Sequence, residues 1–177
     1  LDRAVIDVDG TMAGTLGECK AGMDISYKGI WGYAPLILSL ANTKEVLYLV
    51  NRPGNAASHE GAAPWIDRAI ALVQPHAGQV HLRGDTDFSL TWKFDEWDQA
   101  GVTFNFGMDA SPKLVGLAQS LSEAQWRGLA RVEREIQTEP RERPENVKEQ
   151  IVRERGFLNQ RLESEQVAEF EYQPGKC

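Results

Sequence analysis

Val5-Ile6-Asp7-Val8-Asp9-Gly10-Thr11 is the stretch on which the fold turns. Ala4 to Val8 is an apolar run broken by Asp7, and it reads as a buried strand. An aspartate at the end of such a strand, followed by glycine, projects a charge from a rigid platform into a crevice. That placement is costly unless a cation or hydrogen-bond donors balance it. Val80-His81-Leu82-Arg83-Gly84-Asp85-Thr86-Asp87 repeats the design: apolar strand, glycine, carboxylates. Brought side by side in one sheet, the two strand ends form an oxygen-rich pocket suited to Mg²⁺ or Mn²⁺. Paired metals there would activate a nucleophile and stabilise a leaving oxygen during phosphoryl transfer. A single strand-end aspartate is ordinarily a turn or helix cap. The second cluster is what brings a chemical role level with that structural one.

Outward from the first stretch, Gly10, Gly14 and Gly17 loosen the chain, and residues 12–50 read as a strand meander with antiparallel neighbours. Within it, Gly22 to Ile30 alternates, Ala34 to Leu40 is apolar, Asn42-Thr43-Lys44 turns, and Glu45 to Val50 is β-rich. Asn51-Arg52-Pro53-Gly54-Asn55 is a loop. Ser58 is positioned to cap a helix carrying Ile66, Ala69, Ile70 and Val73 at helical spacing, closed by Pro75 and Gly78. Gln79 to Leu82 predicts a strand, Phe88 to Gln99 a helix with an aromatic face, Val102 to Phe106 a strand, and Pro112 to Leu121 a helix. Beyond Ser122 arginine and glutamate alternate, Asn146 to Arg155 predicts a solvated helix or linking segment, and Val167 to Tyr172 a strand. A soft boundary near Leu121 therefore separates an apolar α/β part, residues 1–121, from a charged part, residues 122–177.

The chain has 177 residues, enough for one domain of ordinary size, with 42% hydrophobic and 25% charged residues. It opens on Leu1 and stops in a strand-like tail, so both ends read as cuts in a longer protein. Cys19 and Cys177 stand alone, without the spacing of a zinc site, and fit a reducing cytoplasm. No apolar run reaches membrane-spanning length. The net charge of -7 counts against a bare nucleic-acid binder. It leaves room for an enzyme that gathers carboxylates around metal ions.

Two families share features with these residues. Asp7-Val8-Asp9-Gly10-Thr11 matches the opening motif of haloacid-dehalogenase-like phosphatases, which implies Asp7 as nucleophile and Asp9 as acid/base. Those enzymes run from the first strand into a helix and build a parallel sheet, whereas here a strand meander follows. The whole order instead resembles the catalytic domain of DDE transposases from bacterial insertion sequences. The matching pieces are Ile6 to Thr11, Leu49 to Asn55, Ser58 to Gly61, Leu82 to Phe88 and Phe104 to Asp109. The tail Arg141-Glu142-Arg143-Pro144-Glu145-Asn146-Val147-Lys148-Glu149 is also similar to members of this group.

That resemblance implies an RNase H-like α/β fold: a mixed sheet whose first three strands are antiparallel, with flanking helices, then a charged segment leading into a β-rich insertion. It implies Asp9 and Asp85 as two metal-binding catalytic acids, with Asp7 a supporting partner and Asp87 the alternative to Asp85. The third acid, a glutamate on a later helix, matches no position here and is expected beyond Cys177. The implied activity is cleavage and strand transfer of DNA with Mg²⁺ or Mn²⁺, on transposon ends and target, by a homodimer in the bacterial cytoplasm. An inactive truncated remnant is the alternative within this family. Arg52 and Asn55 are candidate DNA contacts, an exposed turn arginine being an equal reading. His59 is read as a helix cap before a phosphate contact, His81 as a packing residue, and Trp92 and Trp97 as core.

Overall fold

β1 (Arg3–Gly10) takes the centre of a five-stranded sheet. The structure, a computed structural model, describes residues 1–17, 19–129 and 165–175. The chain after β1 forms β2 (Ala13–Gly14), β3 (Asp24–Ile25), β4 (Trp31–Tyr33), β5 (Leu36–Leu40), β6 (Glu45–Val50), α1 (Ala62–Val73), β7 (Gln79–Gly84), α2 (Phe94–Gln99) and β8 (Thr103–Phe106). The large sheet has the order β6-β5-β1-β7-β8. β1 runs antiparallel to β5 and parallel to β7, β5 antiparallel to β6, and β7 parallel to β8. The sheet is therefore mixed, with its first strand antiparallel to the neighbour it reaches by the shorter connection.

The alternation of β1 sorts its residues between two faces. Ala4, Ile6 and Val8 join Leu36, Leu38, Leu40, Val80 and Leu82 in the buried core. α1 covers that face with Ile66, Ala69, Ile70 and Val73, the helical stripe legible in the sequence. α2 lies over the same face, because Phe94 stacks on Phe104 at 4.5 Å and Trp97 sits 6.0 Å from Phe106. Asp7 and Asp9 point to the opposite face.

Three expectations are corrected. Residues 12–50 do not form one meander: β2, β3 and β4 make a separate three-stranded sheet of order β2-β4-β3. The expected strand Gly22 to Ile30 is cut short because the chain reverses over Ser26–Gly29, with Gly29 in a left-handed conformation at φ 73°. The expected helix Phe88 to Gln99 is broken into 3₁₀ turns at Thr86–Phe88 and Thr91–Lys93 before α2 begins. Phe88 and Leu90 are both buried. A helix turns about 100° per residue and would aim those two side chains in nearly opposite directions. The same break leaves Trp92 61% exposed instead of in the core, while Trp97 is buried as expected.

The second unit, Ser111–Glu171, begins with α3 (Pro112–Ser120), capped by the Ser111 hydroxyl, which accepts from the Leu114 N–H. β9 (Arg127–Gly128) pairs antiparallel with β10 (Gln166–Val167), and Arg127 bridges Glu169. The expected strand Val167 to Tyr172 thus shrinks to its first residue. The Arg/Glu segment, the expected helix Asn146 to Arg155 and the tail motif Arg141 to Glu149 fall at 130–164, outside the described residues. Among the described residues no helix is long and apolar enough to cross a membrane.

One polar cluster locks α2 to α1. Lys93 is only 4% exposed, and its ammonium meets Asp67 at 3.0 Å and Glu96 at 2.5 Å. The Trp97 indole N–H donates to the other Asp67 oxygen at 2.9 Å. Burial alone would lower the lysine pKa, but hydrogen bonds with Glu96 and Asp67 raise it above its ordinary value. Asp67→Ala strips both the buried ammonium and the indole of a partner, so a loss of about 2 kcal/mol or more is expected. Lys93→Met leaves carboxylates that water can reach and is expected to cost less; denaturant titration of both variants tests the ordering.

His81 is a packing residue, 6% exposed, whose Nδ1 lies 2.8 Å from the Thr103 hydroxyl. Burial first, then the charges of Arg3 and Arg83, hold its pKa below the ordinary value, against a hydrogen bond with Asn105. The unfolded histidine titrates near about pH 6.5. Below that pH the unfolded chain takes up a proton that the folded chain refuses, so this contribution is intact at higher pH and lost on acidification. His81→Gln is expected to flatten the stability decline between neutral and mildly acid pH in matched denaturant titrations.

Candidate functional site

The pairing of β1 with β7 decides where the carboxylates go. Asp7 faces Arg83 and Val8 faces Gly84 in the last paired row. Asp9 is the next residue on β1, and Asp85 directly follows the end of β7. Asp85 stays extended, at φ -76° and ψ -171°, and continues the alternation of its strand. Asp9 and Asp85 are thus the first residues past the last paired row, one on each of two neighbouring strands. Both are exposed, so neither carboxylate bears a desolvation cost.

Each residue around the pair has a distinct task. Arg83 grips Asp7 with two parallel hydrogen bonds of 2.7 and 2.8 Å, which raises the arginine pKa. Such a fork holds the Asp7 carboxylate in a fixed orientation. Asp85 also performs the capping role read for a strand-end aspartate: its Oδ1 accepts the Asp87 N–H at 3.0 Å. One oxygen is thus tied to the backbone, and the carboxylate is oriented by that bond. Gly84 just before it keeps that turn uncrowded, because a Cβ there would sit 3.0 Å from the Phe106 ring and the Phe88 Cβ.

Past Asp9 the chain enters a cavity of about 750 Å³, lined by Gly10, Thr11, Lys28, Arg52, His59 and Asp87 among others. Asn55 and Tyr27 also face it, whereas Asp9 and Asp85 stand beside it and outside its lining. Asn55 and His59 are exposed, as surface contacts require. Arg52 differs from its reading as an exposed or DNA-facing side chain. Its Nε donates to the Ala34 carbonyl at 2.9 Å, and its Nη1 donates to the carbonyls of Ala57, Ser58 and Glu60 at 3.1, 2.9 and 2.7 Å. Burial lowers its pKa, with Glu60 opposing. Nη2 is buried without a partner among the described residues and lies near Gly10 and Ser58. Arg52 is chiefly a staple for the loop that walls the cavity.

The loop is pinned at a second point. A Cβ on Gly54 would fall 2.3 Å from the Asp24 carbonyl oxygen and 2.7 Å from that of Gly32. Only glycine permits this close approach to β3 and β4. The Arg-Pro-Gly-Asn run legible in the sequence is thus the seam between loop and small sheet. The expected caps are corrected here: the N-cap of α1 is Gly61 at φ 65° with no side-chain cap, so neither Ser58 nor His59 fills that role. Tyr27 and Lys28 join the cavity only through the fold: Gly29 is the local sign of a turn there, but the alternation of Gly22 to Ile30 predicts a strand.

Comparison with known proteins supplies the context. The transposase DDE domain group 1 family matches residues 2–173. No curated protein matches the chain. Among solved structures, a piggyBac transposase synaptic complex with hairpin DNA is similar at 17% identity and a TM-score of 0.47. That similarity covers 72% of this chain and 28% of the other, so the chain spans well under half of that protein's length.

Arg52→Ala removes the staple, and a loss of about 2 kcal/mol is expected from its several carbonyl partners. Amide exchange at Ala57–Gly61 should accelerate in this variant while the β1 amides stay protected. Unchanged exchange in that loop would contradict the stapling role.

Proposed function

The chain belongs to the transposase DDE domain group 1 family, and on that premise we propose that Asp9 and Asp85 are two of the metal-binding acids of a DNA-cutting centre. The family is one of polynucleotidyl transferases and endonucleases that use divalent metal ions. The observation that supports the assignment is the β1–β7 register, whose last paired row, Val8 with Gly84, is followed on each strand by an aspartate. The mixed sheet, antiparallel over β1, β5 and β6 and parallel over β1, β7 and β8, supports an RNase H-like fold. Residues 1–121 would then be part of the catalytic core and 122–177 the lead into an insertion.

Exposed carboxylates at adjacent strand ends fit a hard cation such as Mg²⁺ or Mn²⁺. A bound cation would supply Lewis-acid stabilisation of the attacking and leaving oxygens. The chain's own residues do the rest. Asp85 is oriented by its bond to the Asp87 N–H, and Asp7 is neutralised by Arg83 so that it does not add to the repulsion at the site. Asn55 and His59, exposed at the cavity, would meet the backbone of transposon-end or target DNA. The working enzyme would be a homodimer in the bacterial cytoplasm.

One observation favours a second reading. Among the described residues no group of three or more His, Cys, Asp or Glu side chains is arranged to hold a metal. A non-catalytic remnant would look the same, while an active enzyme needs a further acid beside Asp9 and Asp85. Cleavage of a transposon-end duplex by the protein with Mg²⁺ or Mn²⁺ separates the two.

Mn²⁺ titration followed by electron paramagnetic resonance tests the site itself. Asp9→Asn and Asp85→Asn are each expected to weaken binding about tenfold or more, the range that loss of metal-site support typically produces. Asp95→Asn, on α2, should bind like the wild type. Equal affinity in all variants would remove the metal-site assignment.

A further inference from the structure

The small sheet presents an aromatic ring at the edge of the candidate centre. Ser26 is 3% exposed, and its N–H donates to the Ile30 carbonyl at 2.9 Å while its hydroxyl accepts from the Ile30 N–H at 3.1 Å. The Gly29 N–H closes the turn onto the Ser26 carbonyl at 2.8 Å. This bonded turn lifts Tyr27 until the residue is 91% exposed, with the Lys28 ammonium 5.2 Å from its ring centroid. Both residues line the cavity that begins at Gly10, directly after Asp9, and that Asp87 also borders.

A nearly naked tyrosine held on a hydrogen-bonded turn gains nothing for the fold, since its ring is left in water. It is well suited to receive a flat partner, because the bonded turn leaves little backbone freedom to be lost on contact and the ring face is open. The adjacent lysine adds a cation for a phosphate. A ring for a base and an ammonium for its phosphate, beside a carboxylate pair, is the chemistry of a nucleotide clamp. We propose that Tyr27 and Lys28 form a binding subsite for an unpaired nucleotide of DNA, the base stacking on Tyr27 and its phosphate paired with Lys28. This subsite rests on the transposase reading and goes further by assigning a preference for DNA with an unpaired end next to the phosphate that is cut.

The whole chain is titrated with two duplex oligonucleotides, one blunt and one with a short single-stranded overhang carrying 2-aminopurine at its first unpaired position. The wild type should bind the overhang duplex more tightly and quench the 2-aminopurine fluorescence. Tyr27→Ala should lose the quenching and weaken overhang binding about tenfold or more, while Tyr27→Phe retains both. Lys28→Ala should keep the quenching and lower the salt dependence by about one phosphate contact. Equal quenching by wild type and Tyr27→Ala would overturn the subsite and leave the proposed function standing. Absence of DNA binding by the wild type would overturn both, and Mn²⁺ titration of the same samples reads the Asp9 and Asp85 site separately. Far-ultraviolet circular dichroism confirms that each variant is folded.

Discussion

The pairing of β1 with β7 is the constraint on which the molecule depends. Parallel neighbours need a crossover, and α1 supplies it between β6 and β7. That crossover fixes the direction of β7, and the core contacts of Ile6 and Leu82 fix its register. A slip of one residue would turn Leu82 out of the core and Arg83 into it. The register that satisfies the apolar face is therefore the same one that aligns Asp7 with Arg83 and brings Asp9 level with Asp85. Packing on one face dictates electrostatics on the other.

Charge is distributed by burial in a consistent way. Asp7, half-buried within β1, is matched by a two-pronged arginine. Lys93, almost fully buried, is matched by two carboxylates and helps orient an indole. Arg52, partly buried, is matched by a ring of carbonyls. Asp9 and Asp85 differ from these because they are exposed and, among the described residues, no cationic side chain forms an ion pair with them. Carboxylates without an opposing charge at the ends of rigid strands are the positions at which a cation gains most.

Close backbone approach governs the surroundings of the site. Gly54 lets the Arg52–Asn55 loop touch the carbonyls of β3 and β4, and Gly84 lets β7 pass the Phe106 ring and the Phe88 Cβ. The first contact walls the cavity. Both reach far along the chain: Gly54 meets residues 24 and 32, and Gly84 meets residue 106 as well as residue 88.

The sequence by itself determined the strands whose faces are sorted by hydrophobicity, the amphipathic stripe of α1, and the two acidic strand ends at Asp9 and Asp85. Each is written in the periodicity of adjacent residues, and the buried face of β1 enforces it. Tertiary structure alone decided that residues 12–50 split between two sheets, that Phe88 to Lys93 leave the helix, that Trp92 faces water, and that Arg52 serves carbonyls rather than solvent. It also decided the place of Tyr27, which alternation disguised as part of a strand. The physical reason is the same in each case. Local periodicity reports which side chains are apolar, while the direction of a turn, the depth of a guanidinium and the neighbours of a ring depend on chain segments tens of residues away.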